Sequence, residues 1–274
     1  MFLAIRKGDF WMKYSKKIGV PAFVSEEYEE KMNKYCLLIP VINEGERIKN
    51  ELLRAKNAGI MKIIDVIICD GNSTDGSVDS ALLRSLHVNT LLVKKDEGKQ
   101  GAQFRMGIWW AMKRGYKGIV TIDGNNKDSI EDVPKFISKL EDGYDYIQGS
   151  RFIKGGKAIN TPISRLLAVK LIHAPVISIT AKHPFTDTTN AYRAYSMKYL
   201  EHIKVCPLRE VFVSYELLAF LSVRATQLGM KAIEIPVCRT YPKGEKMPTK
   251  ISPIKGNWKL FTILFSNLFG KYAP

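Results

Sequence analysis

Two aspartates each close an apolar run, Asp70 at the end of 63-IIDVIICD-70 and Asp123 at the end of 118-GIVTID-123. A carboxylate at the end of a buried strand stands where a ligand can reach it, because ligands of parallel sheets lie beyond the carboxyl ends of the strands. A polar turn, 71-GNSTDGS-77 with Asp75, follows the first, and 124-GNNKDS-129 with Asn125 and Lys127 follows the second. Basic loops come later in the chain. Carboxylate oxygens bind hard cations, while Lys and Arg neutralise phosphate, so this set suits a metal-bound diphosphate. The same residue types also build turns and helix caps, and Asp75 reads first as a turn former.

The elements that must position these groups alternate. Apolar runs at 35-YCLLIPV-41, 63–70, 90-TLLVKK-95, 118–123 and 144-YDYIQGS-150 read as strands. Between them, 43-NEGERIKNELLRAKNAG-59 places Ile48, Leu52, Leu53 and Ala55 near helical spacing with Gly59 as a C-cap, and further helices are expected through 100–115 and from Glu131 to Glu141. The alternation predicts a mostly parallel central sheet with helices on both faces. Residues 1–34, of mixed charge with Glu26, Glu27, Glu29 and Glu30 clustered, read as an N-terminal appendage; 35–250 as one α/β domain; and 251–274 as a basic amphipathic C-terminal segment.

Composition narrows the partners. The chain has 274 residues and a formal net charge of +15, which points to polyanions or an anionic membrane face. No nucleic-acid recognition module accompanies the charge, so nucleic acid is not the expected partner. The 4 cysteines show no CxxC spacing and the 4 histidines no zinc pattern. With no secretory signal in the first twenty residues, this suits reduced thiols in a cytosolic chain. Much of the excess charge sits in 151–183 and 239–274, interleaved with apolar residues. Their apolar stretches, 164–181 and 258–269, look too charged or too short to span a bilayer, which needs roughly 20 apolar residues. They suit interfacial helices instead, with Pro175 expected to break the first.

Five runs, in order, carry a resemblance: 39-IPVINEGERI-48, 68-ICDGNSTDGS-77, 121-TID-123 followed by Pro134, 149-GSRFIKGG-156 and 187-DTTNAYRAY-195. Together they resemble the family 2 glycosyltransferases of GT-A fold, most of all the branch of dolichyl-phosphate-mannose synthase and the bacterial polyprenyl-phosphate enzymes. The resemblance implies inverting transfer of a hexose from a UDP- or GDP-sugar to a polyprenyl phosphate, by a peripheral protein at the cytoplasmic face of a membrane. Pro40, Ile42, Glu44 and Asp70 would then line the nucleotide site, with Arg239 and Lys246 closing over the diphosphate. Arg151, helped by Arg165, would meet the acceptor phosphate. Asp123 takes the place of the first acid of the family's DxD motif and would bind Mg²⁺ or Mn²⁺.

The chain departs from that pattern at two positions. Asn125 stands where the branch usually has a second Asp, and Lys127 where it has an uncharged amide. Asn keeps an oxygen ligand but removes a charge, so metal affinity should fall. Lys127 would offer a fixed positive charge toward the diphosphate. Two other readings fit the sequence: a family 2 enzyme with a glycan hydroxyl acceptor, using Glu216 or Asp187 as base, and a catalytically weak nucleotide-sugar binding module. The terminal segment would also suit docking to an integral membrane partner protein.

Overall fold

The computed structural model describes residues 19–242 and 255–274, with the side chains of 255–257 left aside. Eight strands form one sheet: β1 (Phe23–Glu27), β2 (Tyr35–Val41), β3 (Asp65–Asp70), β4 (Thr90–Lys94), β5 (Gly118–Thr121), β6 (Tyr146–Ser150), β8 (Arg193–Ser196) and β9 (Ala232–Pro236), in the order β1-β4-β3-β2-β5-β8-β6-β9. Two short strands, β7 (Lys157–Ile159) and β10 (Cys238–Thr240), pair beside it.

The block β4-β3-β2-β5 is parallel, as is the β6–β9 pair. β8 enters antiparallel between β5 and β6, and β1 lies antiparallel on the far edge. Phe23–Glu27, within the stretch expected as an appendage, is therefore part of the sheet. Its acidic residues concealed the strand, because an edge strand needs to bury only one side: Phe23 is buried while Val24 is exposed.

The helices obey their spacing with one instructive exchange. In Glu46–Asn57, Ile48, Leu52 and Ala55 face the core as expected, but Leu53 is exposed and Glu51 is fully buried. Glu51 lies three residues after Ile48 and four before Ala55, on the same helical face. The helix stops where Gly59 takes a left-handed φ of 71°. Gln100–Lys113 crosses the opposite face of the sheet. Its Gln103 Nε2 donates to the carbonyls of Val41 (2.7 Å) and Cys69 (2.8 Å), which fastens together the ends of β2 and β3.

The Ile163–Ala181 helix continues through Pro175. Its Val169–His173 turn is π-helical, and this widening accommodates the ring and the missing N–H that would otherwise break the helix. By length and composition this helix is long and apolar enough to cross a membrane, contrary to the expectation from sequence. One side carries Val169, Ala174, Ile177 and Ala181 into the core, against the Glu216–Gln227 and Lys255–Leu268 helices. The other leaves Ile163, Leu167, Leu171 and Ile179 exposed, at steps of four, four and eight residues. The C-terminal helix buries Ile263 and Leu264 and ties Asn267 Nδ2 to the Ala219 carbonyl (2.9 Å), while Trp258 and Phe269 stay 74% and 81% exposed.

Candidate active site

The register Val41↔Asp70 and Leu38↔Thr121 puts the ends of β2, β3 and β5 at one edge of the sheet. The residues expected at the nucleotide gather there. Pro40 is buried within β2, and Ile42 and Glu44 follow it in the loop. Glu44 pairs with Arg47 at 2.8 Å. Asp70 is buried, and its carboxylate accepts from the Asn72 (2.8 Å) and Ser73 (2.9 Å) amides and the Ser73 hydroxyl (2.5 Å), so its oxygens organise its own turn. Asp75 does likewise with the Ser77 amide at 3.0 Å. Ser77 Oγ in turn accepts from the Glu44 and Gly45 amides, which locks the two loops together.

Asp123 stands two residues beyond β5, partly exposed. Its Oδ1 accepts from Gln100 Nε2 at 2.9 Å, and its Oδ2 lies 3.3 Å from Arg239 Nη2. Arg239 sits on β10, and its Nη1 also pairs with Asp128. Asp128 is wholly buried, and burial lifts its carboxyl to about 6 despite the opposing pull of Arg239. Burial disfavours the charge on Arg239, but Asp128 and Asp123 outweigh it and hold the guanidinium above its ordinary value. Lys127 is buried with its Nζ 5.3 Å from the Tyr241 ring centre; burial, then Arg239, lower its pKa. Lys246 lies outside the described residues.

The residues that would hold a divalent ion fit that task modestly. Asn125 Oδ1 is buried with no hydrogen-bond partner, a free oxygen beside Asp123. No cluster of three or more His, Cys, Asp or Glu that could cage an ion exists among the described residues. Asp123 and Asn125 thus suit an ion that draws its remaining oxygens from phosphate and water.

Behind Arg239 opens a cavity of about 510 Å³, a usual size for a ligand site. Its walls are apolar, with Ile177, Leu218, Phe261 and Leu264 drawn from the Ile163–Ala181, Glu216–Gln227 and C-terminal helices. Arg151, Arg165, Arg193 and Arg239 also line it. Arg193 is committed to structure, donating to the Asn190, Leu218 and Thr188 carbonyls. Arg151, expected to meet an acceptor phosphate, has its fork taken by Asp187. Arg165 Nη1 donates to the Tyr241 hydroxyl at 2.9 Å. Burial alone would push the Tyr241 phenol up, yet Arg239, Arg165 and Arg151 together bring it below its ordinary value. Three guanidinium groups thus act together on that hydroxyl. Thr188 Oγ1, also on the wall, is buried without a partner.

The GSRFIKGG run builds part of this floor. Gly156 folds back so closely that a Cβ there would meet the Ser150 carbonyl oxygen at 2.6 Å. Asp187 and Glu216, the two bases weighed from sequence, are both engaged. Asp187 is gripped by Arg151, and Glu216 accepts from the Ser214 amide and faces Lys259 at 3.5 Å.

A family model described as glycosyl transferase family 2 matches residues 36–204. The chain belongs to glycosyl transferase family 2. It is thus a glycosyltransferase of GT-A fold, as the five runs implied. It is 28% identical to the undecaprenyl-phosphate mannosyltransferase of Micrococcus luteus, over 78% of this chain and 86% of that one. It is 25% identical to the polyprenol monophosphomannose synthase of Mycolicibacterium smegmatis, over 79% of this chain and 80% of that one. Among solved structures it resembles glucosyl-3-phosphoglycerate synthase from Mycobacterium tuberculosis in complex with UDP, with a TM-score of 0.61 at 12% identity, covering 86% and 80% of the two chains. The two sequence relatives carry names of the branch that the motifs suggested, and the solved structure shares the fold.

Sequence reasoning missed Glu51, which accepts from the Asn126 amide at 2.8 Å in the loop after Asp123 and was legible from its face of the helix. It also missed Gln100, Asp128 and Tyr241, which only the fold brings to Asp123 and Arg239.

Proposed function

We propose that this glycosyltransferase moves a hexose from a UDP- or GDP-sugar to a polyprenyl phosphate, with inversion, at the cytoplasmic face of a membrane. The observation that carries this reading is the cavity, with apolar walls on three helices and guanidinium groups on its floor, next to Asp123. A lipid phosphate has the same two-part chemistry: an apolar chain for the walls and an anion for Arg165 and Tyr241. The relatives named for undecaprenyl phosphate and polyprenol support it.

An acceptor phosphate oxygen is already ionised near neutral pH, so it attacks the anomeric carbon without a base. Its bond to carbon forms as the bond from carbon to the nucleotide diphosphate breaks on the opposite face. Asp123 and Asn125 would hold a divalent ion that neutralises charge growing on the leaving diphosphate. Lys127 adds fixed positive charge in the same region, and the cavity positions the acceptor. The engagement of Asp187 and Glu216 disfavours the hydroxyl-acceptor reading, which needs a free carboxylate.

The exposed row Ile163, Leu167, Leu171 and Ile179, with Trp258 and Phe269 beside lysines, would rest on the bilayer that supplies the acceptor. The test is a donor screen: UDP- and GDP-sugars, each offered with a polyprenyl phosphate and Mg²⁺ or Mn²⁺, with lipid-linked sugar as the readout. Transfer to a glycan hydroxyl, with none to lipid phosphate, would replace this reading.

A further inference from the structure

Arg239 is common to both halves of the site. On the donor side its Nη2 lies 3.3 Å from Asp123 Oδ2, and its Nη1 donates to Asp128 by a shorter contact. On the other side it lines the apolar cavity, its guanidinium carbon 5.7 Å from the Tyr241 ring centre. One guanidinium therefore serves two carboxylates unequally. Asp128 is wholly buried, whereas the Asp123 side chain keeps 21% of its surface open.

We propose that Arg239 couples the two substrate sites. With the donor absent, Nη2 neutralises Asp123. When the donor diphosphate and its cation take over Asp123, Nη2 is released toward the acceptor phosphate. The donor then tightens the binding of the acceptor. The inference rests on the acceptor reading given above.

The contest falls on one atom. Asp123 Oδ1 is held by Gln100, so Oδ2 is the oxygen for which Arg239 and an incoming cation compete. Release leaves the rest of Arg239 in place. Its Nη1 stays on Asp128, and its backbone is fixed by the register Arg239↔Ala158 and the bridge to Asp128. The freed arm already borders the cavity near Arg165 and Tyr241, where guanidinium charge favours an anion. An Arg fork has two arms that can serve different oxygens, and a lysine ammonium has no second arm. Because binding linkage is reciprocal, the acceptor must tighten the donor by the same factor.

The test measures binding of farnesyl phosphate to the full chain by calorimetry, alone and with Mg²⁺ plus UDP or GDP. With the nucleotide that binds, the Kd for farnesyl phosphate should fall at least fivefold, within the usual range of coupling between sites. In Arg239→Gln the factor should drop toward one, while Arg165 preserves part of the affinity. Arg239→Lys keeps a cation for Asp128, and so should keep the thermal midpoint while still losing the coupling. A purely structural role would be rescued by lysine.

Equal Kd with and without nucleotide in the unaltered protein overturns the coupling alone and leaves the acceptor reading standing. Full coupling in either variant removes Arg239 as its carrier. If farnesyl phosphate does not bind at all, the acceptor reading falls and takes this inference with it. If neither nucleotide binds, the donor half falls with the same consequence.

Discussion

Arg151 grips Asp187 with both sides of its fork, Nε to Oδ2 at 2.6 Å and Nη2 to Oδ1 at 2.9 Å, in a pair that is almost wholly buried. Burial disfavours the guanidinium charge, but Asp187 overcomes it and raises the Arg151 pKa. The pair is part of the cavity floor as well as a source of charge. Arg151→Ala would leave Asp187 buried and uncompensated, at a cost of about 3–5 kcal/mol. Chemical denaturation should show that loss, and a change below about 1 kcal/mol would mean that the pair is not buried as described.

Arg165 is the cleaner probe of the acceptor. It is half-buried and bound to the Tyr241 hydroxyl. Arg165→Ala should raise the acceptor KM strongly and leave donor affinity and stability nearly unchanged, within about 0.5 kcal/mol. A raised donor KM with an unchanged acceptor KM would place Arg165 at the wrong substrate.

Asp123→Asn removes charge where the diphosphate leaves, and it keeps the shape that Gln100 and Arg239 surround. Turnover should fall by about two orders of magnitude or more with the circular dichroism spectrum unaltered. Near-normal turnover in the folded variant would remove Asp123 from the chemistry.

Asn125 and Lys127 are separable by titration. Asn125→Asp adds a carboxylate at an oxygen that now lacks a partner, so Mn²⁺ should bind more tightly in the absence of substrate. An unchanged isotherm would exclude Asn125 from the ion. Lys127→Gln should weaken nucleoside diphosphate binding and make the activity that survives chelator disappear.

Glu51 gives the pH prediction. Burial, only partly offset by the Asn126 amide that donates to its Oε2 at 2.8 Å, raises its pKa well above the ordinary value. A raised folded-state pKa means that the folded chain binds the extra proton. This contribution to stability is full below the unfolded value and is lost as pH rises through the folded one. Asp128, lifted to about 6, acts in the same direction between about pH 4 and 6. Glu51→Gln should therefore raise the melting temperature more at pH 8 than at pH 5. An equal shift at both values would show that Glu51 does not titrate in that window.

What the sequence determined by itself was the frame. Local apolar runs ending in Asp70 and Asp123, separated by helical spacing, sufficed for a parallel block with both carboxylates at one edge, because strand and helix periods are local properties. The ordered motifs sufficed for the family. Tertiary structure decided which charges are available. Arg151 and Asp187 are 36 residues apart, Arg239 and Asp123 are 116 apart, and nothing local says that they meet. The antiparallel insertion of β8 and the edge strand β1 were equally hidden, since strand order depends on long-range pairing. A charged side chain looks the same in sequence whether it faces a substrate or a buried partner. Its surroundings, which only the fold assembles, decide whether its charge is left for a ligand.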